Sequence, residues 1–183
     1  MTFSNSPLQV GVDYMANAKA GAINPQVPSN VDSLLFGDNL ADASVLGYGQ
    51  FVVYDDNGGA TIPVYTAAAG EDPAVVPAIG DWAGVVAYRN GGITEENGLQ
   101  KGGLYKNVPV LNFGRIFAKV TSGESLVVGD KVSVNLASGA NFNTVRKLPA
   151  SPADSDVDIS TIATVAANSS QGLVELTINK YLK

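Results

Sequence analysis

Short apolar runs with a two-residue period recur along most of the chain, and turn residues separate them. The run 50–54 stops at Asn57-Gly58-Gly59, a sequence that tolerates positive backbone φ angles and so favours a hairpin turn. This alternation is typical of half-buried β-strands. It predicts nine or so strands, at 50–54, 61–66, 82–88, 104–111, 113–120, 131–136, 142–148, 159–166 and 172–178.

The fold class follows from this spacing of strands and turns. No long helical period is present, although 31–40 leaves room for one helical turn. Two glycine-containing stretches, 67–81 and 89–103, are predicted as irregular loops, and Asn112 is predicted as the break between two strands. We therefore predict an all-β fold, a single β-barrel or β-sandwich domain of about nine short strands with an extended N-terminal arm.

The first 45 residues differ from the rest, because prolines at three spaced positions prevent a continuous helix or a central strand. We divide the chain into an extended arm, 1–45, and a β body, 46–183. The arm either wraps its own body or lies on a partner, and the pattern does not choose between these. Seven apolar residues of the arm are the candidate contacts with a partner or a neighbouring protomer: Leu8, Val10, Val12, Tyr14, Leu34, Leu35 and Phe36.

The amino-acid composition excludes several kinds of catalytic and metal-binding site. The 183 residues include no histidine and no cysteine, which excludes cysteine nucleophiles, thiolate or imidazole metal sites, the Ser-His-Asp triad and disulfides. Charged residues make up only 15%, below the roughly 25% of an average soluble domain. This low charge suggests that part of the exterior is covered by another subunit. We predict no catalytic residues, no cofactor and no metal.

The charge is unevenly distributed between the two halves of the chain. Residues 1–88 carry nine acidic side chains against Lys19 alone, whereas 89–183 carry ten basic and eight acidic side chains. Nucleic-acid binding needs a dense basic field, so we predict no nucleic-acid partner. No stretch approaches the roughly 20 apolar residues of a membrane span, and no basic, apolar leader opens the chain. We predict a protein made in the cytoplasm with no membrane partner.

Three local motifs resemble known functional or structural patterns. Asp154, Asp156 and Asp158 match the first positions of a calcium loop, but Ile159 and Val165 stand where glycine and glutamate are needed. Glu95-Glu96 is predicted as an ordinary pair of loop acids. The stretch 123–132 predicts a strand end, two apolar residues that pack inward, and a Gly-Asp turn before the next strand.

An ordered series of weak motifs resembles the structural cement, or capsid decoration, proteins of tailed bacteriophages. The series covers 81–179 of the body, and 21–33 and 46–53 resemble the arm and first strand of that family. Its motifs are, in order, Gly80-Asp81-Trp82-Ala83-Gly84-Val85-Val86-Ala87, Tyr105, Val108-Pro109-Val110-Leu111-Asn112-Phe113-Gly114-Arg115-Ile116-Phe117-Ala118-Lys119-Val120, Val128-Gly129-Asp130-Lys131-Val132, Gly139 and Gly172-Leu173-Val174-Glu175-Leu176.

The resemblance implies a non-enzymatic virion protein. It implies that the chain, made in the host cytoplasm, binds the outer surface of a tailed-phage capsid and stabilises the shell by bridging major capsid protein subunits. It also implies a homo-oligomer, with a trimer favoured over a dimer. An alternative from another class is a carbohydrate-binding or receptor-facing β module on the virion surface, based on the long loops and on tyrosines near 89–105.

Overall fold

The computed structural model describes residues 19–35, 45–55, 57–63, 81–88, 99–101, 107–137 and 139–181. Within these ranges the chain forms β-strands and no α-helix, which confirms the all-β prediction. The strands are β1 (Asn30–Leu35), β2 (Val45–Gly47), β3 (Phe51–Tyr54), β4 (Ala60–Thr61), β5 (Trp82–Val86), β6 (Leu99–Lys101), β7 (Asn107–Lys119), β8 (Val132–Asn135), β9 (Thr144–Lys147), β10 (Asp156–Asp158), β11 (Ala163–Ser170) and β12 (Leu173–Asn179).

The strands form three antiparallel sheets. A seven-stranded sheet has the order β11-β12-β7-β5-β3-β4, with β1 also paired to β7. A three-stranded sheet has the order β10-β8-β9, and β2 pairs with β6. Among the described strands the path from β11 to β4 does not close on itself, so the architecture is a sandwich rather than a complete barrel.

Twelve strands are present in the described ranges, where the sequence predicts about nine. The additional strands are β1, β2, β6 and β10, of which β1 lies in the predicted arm and β6 in the predicted loop 89–103. β1 occupies the position of the possible helical turn, because its hydrogen bonds come from β7 rather than from its own neighbours. β6, within the predicted loop 89–103, is likewise stabilised by pairing with a distant strand, β2.

The main hydrophobic core joins the two larger sheets. Val132, Val134, Val145 and Val157 of the three-stranded sheet pack in one cluster with buried residues of the seven-stranded sheet. The large side chains at its centre include Phe51 and Trp82, whose rings meet edge to face with centroids 5.6 Å apart. A second, smaller cluster contains Tyr48, Val52, Ala60, Ile62, Ala83, Val86, Val108 and Val110.

β7 belongs to both cores. Val108 and Val110 contribute to the second cluster, whereas Ile116 and Ala118 contribute to the main one. The even-numbered side chains of this strand therefore change core between Val110 and Ile116. In that interval the pairing of β7 with β1 skips Asn112, which shifts the alternation by one residue, and Gly114 follows with φ of 126°, a conformation that side chains rarely adopt.

Asn112 lies in the middle of β7, so the predicted break between two strands there is wrong. Its side chain is fully buried, accepts a hydrogen bond from Asn30 Nδ2 at 2.9 Å and donates one to Asp32 Oδ2 at 2.5 Å. Its main-chain carbonyl accepts a hydrogen bond from the Lys180 N–H at 3.2 Å. Because its polar groups are satisfied by β1 and by the chain after β12, an asparagine is accommodated in the sheet interior.

We expect N112D to loosen β1 from the sheet. The introduced carboxylate would face the Asp32 carboxylate across a hydrogen-bond distance, and like charges so close repel. The free energy of unfolding should fall by about 2 kcal/mol. Amide hydrogen exchange should become faster at residues 30–35.

The matched control is the double variant N112D/D32N, which places an amide opposite the new carboxylate and restores one donor and one acceptor. Denaturant unfolding of the two variants tests the contact. If N112D and N112D/D32N lose equal stability, this pair of side chains does not hold β1 in register.

Candidate functional site

Apolar side chains that the body leaves exposed are the candidate contacts with another subunit. Among the described residues the large ones are Val31, Leu35, Tyr88, Phe113, Val127, Val128 and Tyr181. Single exposed apolar residues are common on protein surfaces, so positions that share a surface are the more informative ones. Two such pairs stand out, one on β1 and one in the loop before β8.

The two faces of β1 differ. Asp32 and Leu34 point inward, and Leu34 packs against the second core cluster. Val31, Ser33 and Leu35 occupy the other face and are exposed, with Val31 at 41% and Leu35 at 53% exposure. The structure thus gives the sequence-predicted contacts Leu34 and Leu35 different environments, one against the chain's own body and one in solvent.

The other five sequence-predicted contacts, Leu8, Val10, Val12, Tyr14 and Phe36, lie outside the described residues. The long loops and Tyr105, on which the carbohydrate alternative rests, also fall mostly outside them. Tyr88, next to the loop 89–103, lies inside them and is 36% exposed, whereas its neighbour Tyr48 is buried in the body. Burial raises the pKa of the Tyr48 hydroxyl, and the neighbouring Tyr88 adds to this effect.

Residues 19–24, which precede β1, are hydrogen-bonded to the body. The Gly21 N–H donates to the Phe117 carbonyl at 2.7 Å, and the Tyr88 N–H donates to the Gly21 carbonyl at 2.7 Å. A side chain at Gly21 would meet the Val86 carbonyl oxygen at 2.8 Å, so only glycine lets the chain approach this closely. The described part of the predicted arm therefore lies along its own body.

A second contact fixes the same segment. Asn24 Nδ2 donates to Glu175 Oε1 at 2.7 Å, and Glu175 is a buried carboxylate of β12. The Asn24 N–H also donates to the Arg115 carbonyl of β7 at 3.0 Å. A buried carboxylate without a donor is costly, so removal of Asn24 would destabilise β12 as well as the arm.

The loop before β8 is the second apolar site. Its anchor is Leu126, which is buried in the main core, whereas Val127 and Val128 are exposed. The sequence predicts that two apolar residues pack inward here, which is wrong, because only Leu126 of the three consecutive apolar residues is buried. The sequence does contain a signal for this exposure. Three apolar residues follow one another directly before a Gly-Asp turn, and successive residues rarely share a buried face, so at least one of them is expected to be exposed.

Two kinds of functional feature, a cluster of acidic metal ligands and a membrane-spanning helix, are absent from the part of the chain that the structure describes. No group of three or more acidic side chains lies close enough to hold a metal ion there. Asp156 and Asp158, from the stretch tested as a calcium loop, lie on β10, where Val157 between them is buried. No helix in the described ranges is long and apolar enough to cross a membrane.

Comparison with solved structures shows the same fold in a phage capsid. A chain in the structure of the capsid of Myoviridae phage XM1 superposes with a TM-score of 0.64. The two chains are 19% identical, and the match covers 90% of this chain and 91% of that chain. No curated protein matches this chain in a sequence search.

Comparison with protein families gives a match along most of the chain. The family described as structural cement protein (E217 gp24/Pam3 gp6) matches residues 8–179, which include most of the predicted arm and all the strands of the described ranges. The resemblance stated from the ordered motifs is therefore confirmed. The chain therefore belongs to the phage structural cement protein family, a family of structural virion proteins.

Proposed function

We propose that this protein binds the outer surface of a tailed-phage capsid and stabilises the shell by bridging neighbouring major capsid protein subunits. The observation that carries the proposal is the family match over residues 8–179. The similarity in fold to a chain of a phage capsid supports it. A protein that binds only the assembled, expanded shell stabilises that shell by mass action.

The surface of the described body supports a binding role. Leu35 and Val31 present apolar area on a strand that β7, Asn112 and the preceding segment hold in place. A contact made by a prearranged strand loses less conformational entropy on binding than one made by a mobile segment. We assign the outward face of β1 to contact with a capsid subunit or a neighbouring protomer, and Leu34 to fixing the strand.

The remaining parts of the proposal concern assembly and chemistry. We propose a homo-oligomer, a trimer in preference to a dimer. An oligomer whose symmetry matches a local symmetry axis of the shell can make the same contact with each capsid subunit around that axis. We propose no catalytic role, since the sequence supplies neither histidine nor cysteine. Synthesis would take place in the host cytoplasm, before docking on the finished shell.

Purified protein should bind empty expanded capsids saturably and raise the temperature at which they disrupt. At a free concentration 100-fold above Kd, each occupied site adds about 2.7 kcal/mol to the stability of the bound shell state. Cosedimentation gives the stoichiometry and calorimetry gives the disruption temperature. Unexpanded shells are the control and should bind less, while a failure to bind expanded shells would contradict the proposal.

The double variant V31S/L35S should weaken attachment without unfolding the body. Both side chains are exposed, so the free energy of unfolding should change by less than about 0.5 kcal/mol. Loss of their apolar area should lower the affinity of the affected contact about tenfold.

The control for this variant is S33A, on the same face of β1, which removes a hydroxyl and keeps the apolar neighbours. Capsid cosedimentation and analytical ultracentrifugation distinguish a capsid contact from a protomer contact. If neither capsid binding nor oligomeric state changes in V31S/L35S, the assignment of this face is wrong.

Deletion of residues 1–18 should leave the body folded, because Gly21, Asn24 and β1 keep their partners. Attachment to capsid or protomer should weaken, since Leu8, Val10, Val12 and Tyr14 are removed. Deletion of residues 1–30 should in addition lower the melting temperature, because Glu175 and Asn112 lose the donors Asn24 and Asn30.

A full-length variant with serine at positions 8, 10, 12 and 14 separates apolar contact from chain length. It should bind as weakly as the deletion of 1–18. Full-strength binding by both proteins would show that the arm makes no such contact.

A further inference from the structure

The turn between β3 and β4 carries the pair Asn57-Gly58, and both residues are exposed. An asparagine followed by glycine is prone to spontaneous loss of its side-chain amide, because glycine has no side chain to hinder attack by its own backbone nitrogen. A Cβ atom built at Gly58 would meet nothing within 4 Å, so the space beside this residue is open to water. The residue types and their exposure therefore make Asn57 a candidate modification site.

Hydrogen bonds from Asp55 restrain the atoms that would react. The Gly58 N–H donates to the Asp55 carbonyl at 3.0 Å. The Asp55 side chain also closes the turn, because its Oδ1 accepts from the Asn57 N–H at 2.9 Å and from the Gly59 N–H at 2.7 Å. In the closed turn the Gly58 N–H is therefore bound to a carbonyl, and it has to be released before the nitrogen can lose its proton and attack.

The hairpin that carries this turn is short. Its register with β3 comprises two pairs, Val53 with Thr61 and Tyr54 with Ala60, and β4 stands at the end of the described strand order of its sheet. A turn held by so few pairs opens locally far more often than the strands of the core. The hydrogen bonds of Asp55 thus have a large share in deciding how often the turn is open.

We propose that Asn57 is a site of spontaneous deamidation, at which the side-chain amide is converted to a carboxylate at a rate set by opening of the turn between β3 and β4. In the open turn the Gly58 N–H gives its proton to hydroxide, and the nitrogen attacks Asn57 Cγ. A new C–N bond closes a five-membered succinimide ring, and the bond from Cγ to the amide nitrogen breaks to release ammonia, which takes a proton from water.

Water then opens the ring at one of its two carbonyl carbons. Addition at Cγ gives aspartate at position 57, whereas addition at the main-chain carbonyl carbon gives isoaspartate, in which the backbone runs through the former side chain. Both products place a carboxylate beside that of Asp55, and like charges so close repel. Gly59 links this change to β1, since a Cβ atom there would meet the Leu35 carbonyl oxygen at 2.6 Å. Deamidation is thus an irreversible change next to the end of β1.

The first test needs no substitution. The full-length protein is kept at mildly alkaline pH with and without denaturing urea, and peptide mapping by mass spectrometry follows conversion at Asn57, separately from the pairs Asn90-Gly91 and Asn97-Gly98. The opening that permits attack also frees the Gly58 N–H for hydrogen exchange. We therefore expect the folded protein to react more slowly than the unfolded chain, by a factor that agrees within about threefold with the protection factor of the Gly58 amide.

The second test is a matched pair of variants at Asp55. D55A removes the oxygen that accepts two N–H groups, whereas D55N keeps an oxygen acceptor at the same place. We expect D55A to convert at Asn57 about tenfold faster than the unmodified protein and D55N to convert at nearly the unmodified rate. N57Q is the blank, since its longer side chain would have to close a six-membered ring. Melting temperatures show whether the body of each variant stays folded.

Three results would overturn the proposal. If Asn57 stays intact in urea, it is not a modification site. If it converts as fast in the folded protein as in urea, the turn does not control the reaction. Equal rates for D55A and D55N would show that the side-chain acceptor of Asp55 does not hold the turn closed. No capsid takes part in these measurements, so their outcome is independent of the proposed function.

Discussion

The buried residue Asn112 connects three segments that are far apart in the sequence. Through it the middle of β7 is joined to Asn30 and Asp32 of β1, while the carbonyl of the same residue binds the chain after β12. A buried amide has both donor and acceptor groups to satisfy, so it tolerates few alternative partners. We expect the register of β1, and with it the direction of Val31 and Leu35, to depend on this contact as well as on the backbone pairing with β7.

The same constraint explains how the described part of the arm relates to the body. Gly21 and Asn24 fix residues 19–24 to β7 and β12, and Asn112 then fixes β1 farther along β7. The chain from residue 19 to residue 35 is thus held at several points by specific polar groups. The exposed apolar side chains of this segment therefore extend from a backbone that is held in place. The boundary between arm and body at residue 45 stays a prediction.

Alternating apolar residues made the strands predictable, since that signal is local and survives in a single sequence. Asn112 was misassigned because the residues that satisfy it lie 82 and 80 positions away, and asparagine without such partners favours turns. β6 was missed for a related reason, as its pairing with β2 is long-range. At the candidate site, the run Leu34-Leu35-Phe36 is recognisably apolar, but the sequence does not indicate which of its side chains faces solvent. The pairing of β1 with β7 determines that.

The distribution of charge and apolar area agrees with a protein that works by occupying many identical sites. The ion pairs of Asp130 and Glu124 lie in the same loop as the exposed Val127 and Val128. Burial of this surface would therefore remove little unpaired charge from water. Each exposed apolar site is modest in area, so we expect its contribution to a single binding site to be modest as well. A shell repeats the site across its whole surface, however, so the stabilisation of each site adds over the assembly. For such a protein, rigidity and shape at small contacts matter more than the strength of any one of them.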